Sequence, residues 1–191
     1  MTDEKKIVTL SKKFFFVKMI ILICGASGSG KSSYAEDRLE KFKSVKKFYI
    51  ATAKIFDSEM LERVKKHQAM RAGKNFITIE KQKNLGEIEI PENSSILIES
   101  LTTWLANEIF DSEDSHNVAE KILKDFHLLK EKCENLILVS DDIFSDGIIY
   151  DEATEFYRKT LASLMIKIAS EADEVIECVA GSAWCYNHEY F

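Results

Sequence analysis

Apolar residues fall in short unbroken blocks along this chain, with longer amphipathic or polar stretches between them. Met19-Ile20-Ile21-Leu22-Ile23-Cys24, the aromatic and β-branched end of Lys46–Ala53, Phe76–Glu80, Ser95–Glu99, Asn135–Asp141 and Glu174–Gly181 read as strands. The longer blocks do not alternate apolar with polar, so both faces of each strand are expected to be buried, the habit of parallel sheets. The intervening stretches carry helical spacing. Lys31–Glu40, Asp57–Arg71, Leu101–Phe110, Asn117–Cys133 and Asp151–Ala172 are the expected helices. Asp57 or Ser58 caps the second and Gly73 stops it; Asp151 caps the last. Val118, Ile122, Leu123, Phe126, Leu129 and Cys133 form one apolar stripe. Lys81–Ser94 is a polar connection with a helical turn near Leu85, Ser112–Ser115 an acidic turn, and Ile143–Ile149 a loop containing Gly147.

Strands alternating with helices imply right-handed βαβ units, hence a three-layer α/β sandwich around a mainly parallel sheet. In such sheets ligands sit at the carboxyl ends of the strands. Thr52, Glu99 and Asp141 all fall at such ends.

Composition narrows this picture. The 191 residues carry 26 basic and 32 acidic side chains, a net charge of −6, with the signs interspersed. A nucleic-acid footprint would be basic and clustered, so no nucleic-acid partner is expected. Lys12–Cys24 resembles a basic flank followed by a signal core, but Lys18 splits the apolar run and the run is too short to span a bilayer. The expected layout is residues 1–18 as a dispensable appendage and 19–191 as one catalytic domain, cytoplasmic and without a membrane span. Cys24, Cys133, Cys178 and Cys185 form no C-x-x-C pair and are expected to be reduced, buried thiols.

The chemistry lies between the first strand and the first helix. Gly25-Ala26-Ser27-Gly28-Ser29-Gly30-Lys31-Ser32 fits G-x-x-x-x-G-K-[ST], the phosphate-binding loop, at every fixed position. Glycines let backbone N–H groups turn towards phosphate, and the helix N-terminus adds its positive end. Lys31 can reach the β- and γ-phosphates and Ser32 can ligate Mg²⁺. The expected fold is therefore P-loop NTPase-like, of the RecA-like type. Glu99, ending an apolar strand, suits the Mg²⁺ that bridges nucleotide phosphates better than it suits a solvated strand end. Glu59, Arg63, His67 and Arg71 recur every four residues and form one helical stripe. Two guanidiniums beside an imidazole suit phosphate transfer, although spacing alone favours a solvated face with ion pairs.

A family resemblance adds to these readings. The loop, Tyr49-Ile50-Ala51-Thr52-Ala53, Glu59-Met60-x-x-Arg63-Val64-x-x-His67-x-x-x-Arg71, Phe76-x-Thr78-x-Glu80, Glu99-Ser100-Leu101-Thr102-Thr103-Trp104, and Ala172-Asp173-Glu174-Val175 with Gly181 occur in this order. Together they resemble the bifunctional adenosylcobinamide kinase/adenosylcobinamide-phosphate guanylyltransferases over residues 19–181. The resemblance implies two reactions. Adenosylcobinamide is phosphorylated on its aminopropanol hydroxyl with ATP or GTP. GMP then passes from GTP through a covalent histidine adduct, giving adenosylcobinamide-GDP. It implies His67 as the guanylylated residue, with Arg63 and Arg71 countering transition-state charge. It implies GTP contacts from Ala51, Thr52, Ala53, Gln68, Ala69, Met70, Arg71, Glu80 and Glu99, and a homo-oligomer, a trimer.

The chain also departs from that family. The usual Asn-Glu-Val-Gly-x-Gly-Ile-Val-Pro-like segment is here Ser140–Tyr150, without the asparagine and proline and with a longer loop. Met165-Ile166 replaces Asn-Gln, and Trp184-Cys185-Tyr186 enriches the tail. Two alternatives stand beside the main reading: a divergent P-loop small-molecule kinase with another acceptor, and a nucleotide-gated regulatory module.

Overall fold

A computed structural model describes residues 18–54, 62, 65, 73–111 and 117–186. In chain order these form β1 (Met19–Gly25), α1 (Lys31–Lys41), β2 (Lys46–Ala51), β3 (Ile77–Glu80), a single 3₁₀ turn (Leu85–Glu87) and β4 (Ser94–Glu99). There follow α2 (Leu101–Phe110), α3 (Val118–Lys132), β5 (Asn135–Asp141), α4 (Glu152–Glu171), β6 (Glu174–Val179) and β7 (Ser182–Tyr186). Of the expected helix Asp57–Arg71, only Glu62 and Lys65 are described, and both are helical. The acidic turn Ser112–Ser115 lies outside the described residues.

Seven strands form one sheet in the order β3-β2-β4-β5-β1-β6-β7. Every neighbouring pair is parallel except β6 with β7. Successive side chains of a strand point to opposite faces, and in the central strands both sets are apolar. Ile20, Leu22, Phe48, Ile50, Ile96, Ile98, Leu136 and Leu138 join Trp104, Leu105, Ile122, Phe126, Leu161 and Leu164 in one core, under α2, α3 and α4. Ile21, Ile23, Tyr49, Leu97, Ile137 and Val139 join Ala35 and Leu39 of α1 in the other. The unbroken apolar blocks thus have the cause anticipated for them, burial from both sides.

Local chemistry sets the element ends. Ser100 caps α2 by accepting from the Thr103 N–H at 3.3 Å. Asp151 caps α4, accepting from the Thr154 N–H at 3.0 Å. The expected α3 stripe is buried at Val118, Ile122, Phe126, Leu129 and Cys133, with Leu123 partly so.

Two expectations need correction. The sheet does not end at Glu174–Gly181: a two-residue turn, Ala180-Gly181, returns the chain as antiparallel β7. Both turn residues have positive φ, 48° and 80°, as a tight hairpin of this length requires. Every β7 residue is exposed, although Ala183-Trp184-Cys185-Tyr186 is an apolar run. The thiols are also not uniformly buried. Cys133 and Cys178 are, whereas Cys24 is intermediate and Cys185 exposed, because Cys185 sits on that outer strand.

Candidate active site at the phosphate-binding loop

The loop connects β1, which lies between the parallel strands β5 and β6, to α1, which begins at Lys31. Three glycines do different work in it. A Cβ on Gly25 would meet the Cys178 carbonyl oxygen at 2.5 Å, so only glycine lets β1 pass β6 there. Gly28 and Gly30 have φ of 74° and 92°, the left-handed region that turns the loop into the helix. The β6–β7 turn supports it: the Gly181 N–H donates to the Ser29 carbonyl at 3.0 Å.

Lys31 is buried, its Nζ 2.6 Å from Asp141 Oδ1 and donating to the Ala26 carbonyl at 3.2 Å. It therefore folds back over its own loop, where nucleotide phosphates sit in this motif. Ser32 Oγ donates to Glu99 Oε1 at 2.8 Å, so the loop serine and the acid ending β4, 67 positions apart, meet at one point. Glu99 as a residue remains partly exposed, yet its Oε2 is enclosed and has no hydrogen-bond partner. Burial pushes its carboxyl up to about 7, with Asp141 adding to the rise, against the Ser32 hydrogen bond and the Lys31 charge. An enclosed, unsatisfied carboxylate oxygen beside a serine hydroxyl is an oxygen-donor pair that fits Mg²⁺. No cluster of three or more His, Cys, Asp or Glu suited to a metal occurs among the described residues. A cation here would thus complete its shell with phosphate and water.

Buried hydroxyls fix the strand ends around this point. Thr52 is fully buried just beyond β2, and its N–H donates to the Glu99 carbonyl at 3.0 Å. Its Oγ1 accepts from the Ser100 N–H at 2.8 Å, and Asn107 Nδ2 donates to its carbonyl at 2.8 Å. Thr102 Oγ1 accepts from the Asp141 N–H at 2.8 Å, tying α2 to the end of β5. The Thr-Thr pair of the Leu101-Thr102-Thr103-Trp104 run is therefore structural cement around the site, and Trp104 is fully buried core.

Among the residues expected to contact nucleotide, the structure brings together the loop 25–32, Thr52 and Glu99. Glu80 and Glu99 are both in register with Ala51, on either side of it, so Glu80 shares that rim as an exposed side chain. Ala53 follows Thr52 on the same rim. Arg63, His67, Gln68, Ala69, Met70 and Arg71 lie outside the described residues. Sequence reasoning placed Asp141 at a strand end without assigning it to the site; its contact with Lys31 puts it there. The turn at 180–181 was missed, and a bare Ala-Gly dipeptide gave little signal.

Two of the departures, in Ser140–Tyr150 and at Met165, meet beyond β5. Ser140 Oγ donates to Met165 Sδ at 3.4 Å, so the altered β5 end and the altered α4 position meet. Asp142 accepts from the Phe144 N–H at 3.0 Å and Asp146 from the Ile148 N–H at 3.1 Å. Tyr150 OH donates to Asp146 at 2.6 Å, and the Arg158 guanidinium lies 5.2 Å from the Tyr150 ring centroid. This ordered loop leaves Ile149 95% exposed.

Residues 21–185 match the family described as cobinamide kinase / cobinamide phosphate guanyltransferase. The chain belongs to that family. It is 27% identical over 178 residues to the bifunctional adenosylcobalamin biosynthesis protein CobU of Escherichia coli (strain K12), covering 85% of this chain and 97% of that protein. It is 31% identical over 165 residues to the bifunctional adenosylcobalamin biosynthesis protein CobP of Pseudomonas aeruginosa, covering 84% and 92%. Solved structures agree on the fold. The flagellar accessory protein FlaH from Methanocaldococcus jannaschii superposes with a TM-score of 0.51 at 14% identity, over 89% of this chain and 78% of that one. An ATPase of the type III secretion system of pathogenic bacteria gives 0.51 at 11%, over 84% and 52%. This chain's fold is thus the P-loop NTPase-like, RecA-like sandwich expected from its strand pattern and phosphate loop. No helix among the described residues is long and apolar enough to cross a membrane.

Proposed function

We propose that this chain phosphorylates the aminopropanol hydroxyl of adenosylcobinamide with ATP or GTP, and then transfers GMP from GTP to that phosphate. The products are adenosylcobinamide-GDP and pyrophosphate, in cobalamin biosynthesis or salvage. One observation carries the reading: in a chain of this family, Lys31 and Ser32 of an intact phosphate loop converge with Glu99. Lys31 binds and neutralises phosphate charge; the loop N–H groups and the α1 N-terminus orient the triphosphate. Ser32 and Glu99 would hold Mg²⁺, which when bound supplies further positive charge on the phosphate oxygens. Covalent catalysis on His67 divides guanylyl transfer into two displacements, with Arg63 and Arg71 in the role of countering transition-state charge. Thr52, Ala51, Ala53, Glu80 and residues 68–71 complete the GTP contacts in this reading. It places the enzyme in the cytoplasm as a homo-oligomer, the trimer resting on resemblance alone.

The test is incubation with GTP labelled on its α-phosphate and Mg²⁺, followed by adenosylcobinamide phosphate. Label should appear on His67 by mass spectrometry, with pyrophosphate released, and then pass to the corrinoid. The bond is P–N, so the adduct should decay in acid and survive alkali. His67→Ala should abolish the adduct and guanylyl transfer. An acid-stable GMP on another residue, or normal guanylyl transfer by His67→Ala, would refute the assignment.

A further inference from the structure

Asp141 is the last residue of β5, directly opposite Gly25 of the phosphate loop in the parallel register. Its Oδ1 lies 2.6 Å from Lys31 Nζ; its side chain is 33% exposed, against 8% for the lysine. Two hydrogen bonds fix its place. Its N–H donates to Thr102 Oγ1 at 2.8 Å, and Tyr157 OH of α4 donates to the Thr102 carbonyl at 3.1 Å. The other acids of the rim are otherwise engaged or distant. Glu99 Oε1 accepts from Ser32, and its unpartnered Oε2 belongs to the oxygen pair that would hold Mg²⁺. Asp142 accepts from the Phe144 N–H and from Ser145 Oγ. Glu80 stands on β3, with β2 and β4 between it and β5.

An ammonium that holds a γ-phosphate oxygen at about 3 Å and Asp141 on its other side puts the carboxylate within about 6 Å of that oxygen. A hydroxyl poised at about 3 Å from the γ-phosphorus bridges that gap, within hydrogen-bond reach of the carboxylate. We infer that Asp141 is the proton acceptor of the phosphoryl-transfer step, taking the proton of the acceptor hydroxyl as its oxygen attacks the γ-phosphorus. This rests on the kinase activity proposed above. The new O–P bond forms while the bond from the γ-phosphorus to the β,γ-bridging oxygen breaks. That oxygen leaves with the electron pair on the nucleoside diphosphate, and the carboxyl later returns its proton to water.

The assignment predicts two effects of opposite sign. In D141N the competing carboxylate is gone, so Lys31 meets the triphosphate unopposed and nucleotide binding tightens. The proton has no acceptor, so phosphoryl transfer at saturating nucleotide slows by about 100-fold or more. The experiment titrates ATP binding and measures adenosylcobinamide-phosphate formation for wild type, D141N and D141A, with circular dichroism to verify the fold. Tighter binding with slow transfer in both variants supports the role. A transfer rate in D141N within about threefold of wild type overturns it. So does a parallel loss of binding and transfer by a folded variant, since Asp141 would then only hold Lys31. D141A, which truncates a partly exposed side chain, carries the test if D141N fails to fold. Wild-type protein that forms no adenosylcobinamide phosphate would instead overturn the proposed kinase activity, and this inference with it.

Discussion

Glu99→Gln should make the metal-free, nucleotide-free protein more stable above neutral pH, although it removes a hydrogen-bonded carboxylate. Burial holds the Glu99 carboxyl near 7 in the folded state, against an ordinary value of 4.5. The sign follows from which state binds the proton more tightly. A raised folded-state value means that the protonated form is favoured by folding. That contribution is complete below about 4.5 and is lost as pH rises through about 7. At 1.36 kcal/mol per tenfold change in proton affinity, the full loss is about 3 kcal/mol. This is a ceiling, because the partly exposed flank of the residue admits solvent screening. Glutamine keeps an acceptor for Ser32 Oγ and stays neutral throughout. Thermal unfolding in chelator at pH 5 and pH 8, for wild type and variant, isolates the term, since groups common to both proteins cancel. The variant should gain about 1–3 kcal/mol on wild type between the two pH values, about 2–10 °C in Tm for a chain of this size. An equal gap at both pH values, or a variant less stable than wild type at pH 8, would show that the carboxyl is not held neutral by its surroundings.

Gly25→Ala should cost about 1–3 kcal/mol and weaken nucleotide binding, because its Cβ would lie 2.5 Å from the Cys178 carbonyl, which is strand backbone that cannot move aside cheaply. Urea unfolding and nucleotide titration read both effects, and near-wild-type values would contradict the close passage of β1 and β6. Lys31→Ala should slow phosphoryl transfer by about 100-fold or more in a folded protein. The Asp141 it leaves is partly solvated and can do without its partner, so the melting curve should move little by comparison. Normal transfer by that variant would show that the loop is not the donor site.

The central strands were legible because they are buried on both faces, and an unbroken apolar block has few other meanings. Glu99 was legible for the same reason: an acid ending such a block breaks the pattern where a ligand is expected. Asp141 breaks its block in the same way. It gained a role only from the fold, which brings the end of β5 beside Gly25 across more than a hundred positions of chain. β7 was missed although Ala183-Trp184-Cys185-Tyr186 is apolar, because the run is short and follows β6 after a turn of only two residues. The stripe Arg63–His67–Arg71 shows the converse limit. Its periodicity fits a solvated helix face as well as a reaction site, and only the family resemblance separates the two.

The same physics explains why threonines surround a site whose chemistry belongs to lysine, serine and acids. Phosphate transfer depends on holding charged groups in place before the substrate arrives, since misplacement by an ångström forfeits most of the gain. Strand ends are poor anchors by themselves, because the ladder of hydrogen bonds stops there. In this chain Thr52 binds the β4–α2 junction to the end of β2, and Thr102 binds the end of β5 to α2. Each hydroxyl is small enough to be buried and satisfied by backbone partners, and neither adds charge to a centre already holding Lys31, Glu99 and Asp141. The Glu99–Thr103 run thus supplies, in five consecutive positions, an acid that meets the loop serine, a helix cap, a core leucine and two hydroxyls that lock neighbouring strand ends. Substitutions within it should act on the geometry of the charged groups as much as on the stability of the fold.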